Sequence, residues 1–304
     1  MPSGPEHRHE RHPVSLGDYL RNLPQYLYPQ RLITGWVYRL TRVQTPWLRD
    51  RLIRFFIRRF GVDMSEAAEP DPLRYTDFNQ FFTRPLRSDA RPLAVGEGVL
   101  CCPVDGAVSQ AGVIVDDNLL QAKGRTFSLM QLLGGDEERA RPFRNGSFVT
   151  LYLAPRDYHR IHMPLPGRLQ EMVHIPGRLF SVSPLTTRMA PGLFARNERV
   201  ATIFATQAGP MAIVLVGAIN VSSIETVWAG TITPPLARQL RQWRYPKTGS
   251  GVVTLDKGAE MGRFNMGSTV IVLFGKDRVR WDPTIQPAAL VRMGQRLGRI
   301  TPDR

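Results

Sequence analysis

Lysine is nearly absent from this 304-residue chain. It occurs only at positions 123, 247, 257 and 276, so arginine supplies almost all of a net charge of +14. Cysteine is scarcer still: Cys101 and Cys102 are the only two, and they are neighbours. Adjacent cysteines fit disulfide geometry poorly and cannot staple a fold, which argues against a disulfide scaffold and for a reducing compartment. They are expected to help fill a strand and not to bind metal. No basic stretch followed by an apolar run and a cleavage site opens the chain, so secretion is not expected. Only residues 200–224 form an uncharged run long enough to cross a bilayer. Gln207-Ala208-Gly209-Pro210 interrupts that run, and Thr, Ser and Asn are scattered through it. Two β-branched strands around a turn are therefore expected there, and no membrane helix.

What is present is the composition of a globular protein, 42% hydrophobic and 22% charged, with length enough for one large domain or two. Residues 1–60 hold 11 arginines against Glu6, Glu10, Asp18 and Asp50, a balance of +7 and half of the total. Such an excess favours a polyanion or an anionic surface as partner. Residues 1–14 are polar, rich in His, Arg and Pro, and expected to be a disordered tail in which His7, His9 and His12 are solvated.

Two helical patterns follow. Leu32, Ile33, Trp36, Val37 and Leu40 fall on one face. After Thr45-Pro46, a helix start signal, Leu48, Leu52, Phe55 and Phe56 are expected to share a face while Arg51, Arg54 and Arg58 share another. Packing of these apolar faces on a core is one reading. The terminal tryptophans Trp36 and Trp47 and the density of arginine favour a second, helices lying in a membrane interface with Arg at anionic headgroups. Nucleic-acid binding is not expected, since no recognised binding motif accompanies the charge. Residues 15–65 thus read as a basic amphipathic helical region and 66–304 as a separate body.

That body begins with a short helix in 77–87 and continues in β-rich runs at 98–104, 107–115, 147–153, 168–175, 199–206, 211–219, 251–255 and 267–274, punctuated by Gly and Pro. The fold class expected is α+β: N-terminal amphipathic helices followed by a β-rich body of antiparallel sheets.

Against this background a few polar positions stand out. Asp105 lies at an Asp-Gly turn, which alone is ordinary turn chemistry. His159 and His162 lie between Pro155 and Pro164, and no further Cys or His cluster completes a metal site around them. Gly267-Ser268 precedes the apolar run Val270 to Phe274, and by itself reads as a turn feeding a strand. A serine nucleophile needs a base, and the base an orienting carboxylate. Asp, His and Ser are all here, but no Gly-x-Ser-x-Gly elbow holds any serine. The electrophile nearest to Ser268 is the carbonyl of Gly267, which points to self-cleavage. A Ser-His-Asp lipase and a non-catalytic membrane-adsorbed β-domain remain the alternatives.

Five stretches, in this order, carry a resemblance: Pro103-Val104-Asp105-Gly106; Pro155-Arg156-Asp157-Tyr158-His159-Arg160-Ile161-His162-Met163-Pro164; Leu193-Phe194-Ala195-Arg196-Asn197-Glu198-Arg199-Val200; Ser223-Ile224-Glu225-Thr226-Val227-Trp228-Ala229-Gly230; and Lys257-Gly258-Ala259-Glu260-Met261-Gly262-Arg263-Phe264 running into Gly267-Ser268-Thr269. Together they resemble the bacterial-type, pyruvoyl-dependent phosphatidylserine decarboxylase proenzymes, from about residue 75 to 275. Met266 stands where such motifs often have Leu.

The resemblance implies that Asp105 orients His162, that His162 deprotonates Ser268, and that self-cleavage between Gly267 and Ser268 gives a β chain 1–267 and an α chain 268–304. It implies a covalent pyruvoyl group made from Ser268, which forms a Schiff base with the serine headgroup and acts as electron sink while CO2 leaves. His159 is the candidate acid for the protonation that follows. The implied substrate is phosphatidylserine in an anionic membrane, the product phosphatidylethanolamine, and the location the cytoplasmic face of the cell membrane, as a peripheral protein. The two chains would form a heterodimer, with further dimerisation open. No metal is implied. The apolar segment 189–194, with Leu193 and Phe194, is expected to be a substrate loop at the acyl chains.

Overall fold

The computed structural model describes residues 30–122, 124–218, 223–233, 239–265 and 268–302. The expected tail, residues 15–29 and Gly267 lie outside the described residues. The architecture is α+β, with helices first and antiparallel sheets after.

Helix Gln30–Leu40 leads into helix Pro46–Phe60, which starts with proline in its first turn, where a missing amide donor costs nothing. It stops at Gly61, whose left-handed backbone (φ 67°) bonds back to the carbonyl of Ile57. Its inner face does not follow the expected grouping. Ile53 and Phe56 are buried against Tyr75, Phe78, Phe81 and Phe82, whereas Phe55 is 63% exposed. Residues 55 and 56 stand about 100° apart on a helix, and the short helix Phe78–Phe82 covers only one of them. Phe56 meets the rings of Phe78, Phe81 and Phe82 edge-on at 5.1–6.1 Å. Core packing is thus part of this helix's role. Its other side leaves Trp47, Phe55, Arg51, Arg54, Arg58 and Arg59 exposed, and Trp36 on the preceding helix is 71% exposed. No described helix is long and apolar enough to cross a membrane.

The body is built on one large antiparallel sheet. Its strands run in the order Arg241–Arg244, Gly167–Ile175, Arg199–Thr206, Gly209–Val216, Thr269–Phe274, Ser147–Tyr152, Gly106–Val113 and Leu290–Val291, with Thr254–Leu255 also on Gly167–Ile175. The uncharged run is the expected hairpin: Arg199 to Thr206 pairs with Gly209 to Val216 through a tight turn, and Gly209 takes the positive φ (79°) that the turn requires. Thr269–Phe274 is central, paired in full register with Gly209–Val216 on one side and Ser147–Tyr152 on the other, and every residue of it is buried. A continuous apolar run fits a strand covered on both faces.

A second sheet has the order Gly230–Thr231, Ile224–Thr226, Glu260–Phe264, Arg160–His162. A third joins Val99–Cys101, Arg296–Ile300 and Val279–Trp281. Cys101 and Cys102 are both free and buried; Cys101 ends the strand Val99–Cys101, as expected of strand filler, and Cys102 lies just beyond it.

Candidate functional site

Two connections cross between the large sheet and the second sheet. Residues 153–159 lead from Tyr152 to Arg160, and residues 265–268 lead from Phe264 to Thr269. Pairing fixes both ends of the crossing. Thr269 is opposite Tyr152 in the large sheet, and Arg263 is opposite Arg160 in the second. At the edges, the amide of Leu153 donates to the carbonyl of Ser268 at 3.0 Å, and the amide of Phe264 donates to the carbonyl of His159 at 3.0 Å. Phe264 and Ser268 are therefore both tied to the segment that carries Tyr158 and His159.

Ser268 is fully buried, and its Oγ has no hydrogen-bond partner among the described residues. An unmet buried hydroxyl costs about 1–3 kcal/mol, so a fold that keeps one at the head of its central strand calls for an explanation. Just upstream, Asn265 is tied down. Its amide donates to the carbonyl of Ser223 (2.9 Å), and its Nδ2 donates to the hydroxyl of Ser223 and to Glu225 Oε1 (2.8 Å). Burial works to raise the Glu225 carboxyl, but hydrogen bonds from Arg263 and Asn265 outweigh it and hold the group below the usual range. Glu225 is thus an anion held by Arg263 and Asn265.

His162 is buried at the end of its strand. Its Nδ1 lies 2.8 Å from the carbonyl of Gly258, which can only accept, so Nδ1 carries the proton and Nε2 the lone pair. Nε2 is 3.0 Å from the hydroxyl of Tyr158, whose ring lies nearly parallel to the imidazole. Burial depresses the His162 pKa, the bond to Gly258 only partly opposing it. The ring is a neutral base whose basic nitrogen faces a phenol. Desolvation pushes the Tyr158 hydroxyl up, so it stays protonated and can donate.

Asp105 is buried close by: the amide of His162 donates to the carbonyl of Pro103, two residues upstream of Asp105. The Asp105 carboxylate is held by Arg91, with Nε to Oδ1 at 2.9 Å and Nη2 to Oδ2 at 2.6 Å, and by the amide of Met293 at 2.8 Å. Arg91 also reaches Glu66 (2.7 Å), which Arg292 meets from the far side at 3.1 Å. The chain brings Asp105 and His162 into one region without a hydrogen bond between them. Gly106 follows Asp105 because a Cβ there would stand 2.2 Å from the carbonyl of Tyr152.

His159 is fully buried and stacked on Phe82, with centroids 4.2 Å apart. Its Nε2 lies 3.0 Å from the carbonyl of Ala154, and its Nδ1 has no partner among the described residues. Burial, and then the charge of Arg84, push its pKa down to about 3. At neutral pH this imidazole is uncharged, and its one remaining proton, on Nε2, is engaged by the carbonyl of Ala154.

The expected substrate loop is packed inward. Leu193 and Phe194 open the short helix Leu193–Arg196 and are 0% and 1% exposed. Phe194 packs edge-on against Phe127, and the amide of Leu193 donates to Gln121 Oε1 at 2.8 Å. These apolar side chains serve the core, which composition alone does not distinguish from a lipid-facing loop. Among the described residues no group of His, Cys, Asp and Glu has the arrangement of a metal site.

Sequence reasoning missed Arg91, Tyr158 and Glu225 as parts of this region. Tyr158 and Glu225 lie inside the motifs quoted above, but the contact of Tyr158 with His162 depends on the local loop geometry and that of Glu225 with Arg263 on strand pairing. Arg91 lies in no motif.

Known proteins resemble this chain closely. The family model described as Phosphatidylserine decarboxylase matches residues 78–299, and a second, described as PSD, matches residues 20–61. A phosphatidylserine decarboxylase proenzyme of Bordetella pertussis is 56% identical over 280 residues, 92% of this chain and 94% of its own. Proteins of the same name from Azotobacter vinelandii and Nitrosococcus oceani are 53% and 54% identical, covering 93% and 94% of this chain and 99% and 92% of their own.

Proposed function

The chain belongs to the phosphatidylserine decarboxylase family, and from that premise we propose that it decarboxylates phosphatidylserine to phosphatidylethanolamine with a pyruvoyl group that it makes from its own Ser268. The observation that carries the second half is the buried Oγ of Ser268, without a partner among the described residues, at the start of the central strand and beside the loop that holds His159 and Tyr158.

In the maturation step Ser268 gives up its hydroxyl proton, and Oγ attacks the carbonyl carbon of Gly267. The C–N bond breaks, leaving an ester and the free amine of residue 268. Loss of the Cα proton then breaks the Cβ–Oγ bond and releases chain 1–267 with a carboxylate. Water replaces the nitrogen of the remaining dehydroalanine, and ammonia leaves.

His162 is assigned the base, because its Nε2 lone pair is exposed by the Nδ1–H bond to Gly258. Tyr158 sits on that nitrogen and can pass a proton to it. Asp105, clasped by Arg91, acts on His162 through space at this stage. Glu225 holds the side chain of Asn265, three residues before Ser268.

Ser268 fits the group, since a strand paired on both sides would hold the new N-terminus of the 268–304 chain. A bound pyruvoyl group supplies a carbonyl that takes up the electron pair left when CO2 departs. Ser268 and His159 are both fully buried, which keeps bulk water from the group, and the neutral His159 is assigned a proton relay to the carbon that CO2 leaves.

Trp36, Trp47 and Phe55, exposed among arginines, support a peripheral position on an anionic membrane face.

Denaturing mass spectrometry tests the reading. Purified protein is expected as chains 1–267 and 268–304, the shorter with a blocked N-terminus, and Ser268→Ala as an intact 304-residue chain that releases no CO2 from phosphatidylserine. An active, uncut Ser268→Ala protein would end the proposal.

A further inference from the structure

Between the helical region and the body lies a cavity of about 240 Å3, lined by Arg84, Arg91, Arg156 and Arg292 and by Asp63, Glu66, Asp105 and Asp157, and bordered by Tyr158. Equal numbers of opposite charges suggest a self-satisfied cluster. The partners show otherwise. Asp105 and Glu66 are taken by Arg91 and Arg292. Asp63 caps Ser65, through amide and hydroxyl. Asp157 accepts from the amide of Ala154 at 2.6 Å and stands 3.9 Å from Arg156.

Arg84 is left over. It is 4% exposed, and no carboxylate lies within ion-pair distance of it among the described residues. Its Nε has no partner among the described residues, and one Nη reaches the carbonyl of Arg156 at 3.4 Å. The guanidinium carbon lies 5.6 Å from the ring of Phe81, a modest compensation. Burying an unpaired guanidinium costs several kcal/mol, and such charges in proteins are normally matched.

We propose that Arg84, with Arg156 across the cavity, is the receptor for a phosphate group, and that in the working enzyme this is the phosphodiester of the lipid headgroup. The choice of lipid rests on the function proposed above; the anion site rests on the cavity alone. Phosphate fits better than the substrate carboxylate. A buried cation on the carboxylate would stabilise the charge that must disperse as CO2 leaves, and so would oppose the reaction. The phosphodiester keeps its charge throughout, and a fixed counter-charge binds it equally before and after. Arg84 and Arg156 approach from different chain segments, so their donors suit a tetrahedral oxyanion better than a planar one.

The test is calorimetric titration of the purified full chain with three probes: glycerophosphoethanolamine, which has no carboxylate to lose, inorganic phosphate, and acetate. The diester is expected to bind saturably, and Arg84→Gln to weaken it by about tenfold or more, with Arg84→Lys intermediate. Acetate is expected not to compete. Equal affinity in wild type and Arg84→Gln would overturn the site, and so would acetate competing as well as the diester. Phosphate binding that depends on Arg84 without any diester binding would overturn the lipid assignment. Thermal melting without ligand checks the fold. Should Arg84→Gln not fold, Arg156→Gln, with its side chain 59% exposed, is expected to weaken the diester in the same direction, and no change there would overturn the pair. A chain that binds the diester through Arg84 yet releases no CO2 from phosphatidylserine would support the anion site and defeat the decarboxylase reading.

Discussion

The hydroxyl of Tyr158 lies 3.0 Å from Nε2 of His162, four residues along the same loop and strand. With Nδ1 fixed by Gly258, this contact determines what the base nitrogen meets. Tyr158→Phe keeps the ring and its stacking but removes the proton path. Chain cleavage is expected to slow by about tenfold or more, the value of one well-placed hydrogen bond in a transition state. A time course of cleavage in cell-free synthesis measures this. An unchanged rate would remove Tyr158 from the mechanism.

The buried pair Arg91–Asp105 offers a stability test on the uncut Ser268→Ala chain, where unfolding involves a single polypeptide. Arg91→Met leaves the Asp105 charge with only the amide of Met293, a loss of about 3–5 kcal/mol. Adding Asp105→Asn should restore more than half of that, because the orphaned charge goes with it. Urea denaturation of the single and double variants decides; strict additivity would show that the two residues do not act as a pair.

Acid should weaken the fold through its buried histidines. Burial holds His162 and His159 below the unfolded value of about 6.5, His159 down to about 3. Between folded and unfolded values the unfolded chain binds more protons, so this stability is complete above about pH 6.5 and is lost as pH falls toward the folded values. Each group contributes a slope of at most about 1.4 kcal/mol per pH unit. His159→Gln on the Ser268→Ala background should flatten the melting curve between pH 7 and 5. Parallel curves for the two proteins would contradict the burial argument.

Trp47 and Phe55 are exposed on the helix Pro46–Phe60 beside Arg51, Arg54 and Arg58. Replacing both by serine removes about 1.5–3 kcal/mol of burial per side chain if they enter lipid. Co-sedimentation with anionic vesicles should fall at least about tenfold, and the residual binding should be strongly salt-dependent. Since neither side chain is in the core, melting should be unaffected. Full vesicle binding by the double variant would place the membrane face elsewhere.

The long strands were legible in the sequence because an apolar run of six to eight residues has few other fates. Thr269–Phe274 and the hairpin Arg199–Val216 are of this kind. The second sheet was not: Arg160–His162 and Ile224–Thr226 are three residues each, too short to show a period, and they exist because their neighbours hold them. The same limit applied to the site. Asp105, His162 and Ser268 could be picked out by residue type and motif. The clasp of Arg91 on Asp105, the phenol on His162 and the burial that keeps His159 neutral come from three-dimensional contacts that residue type alone does not show. Phe55 and Phe56 show how fine the limit is: adjacent and chemically identical, one is core and the other is surface.

The central strand has a consequence for how the molecule can be made. The segment 268–304 supplies Thr269–Phe274, Leu290–Val291 and Arg296–Ile300, each laid against strands of the segment before it. While the chain is whole, these pairings form within one molecule. If the chain is cut as proposed, two denatured pieces would have to find each other, and the short one would no longer carry the serine that made the bond break. Assembly under that proposal is a one-way sequence, fold first and cut second. The lifetime of the working enzyme would then be governed by how slowly it comes apart, because removal of denaturant would not retrace the path by which it formed.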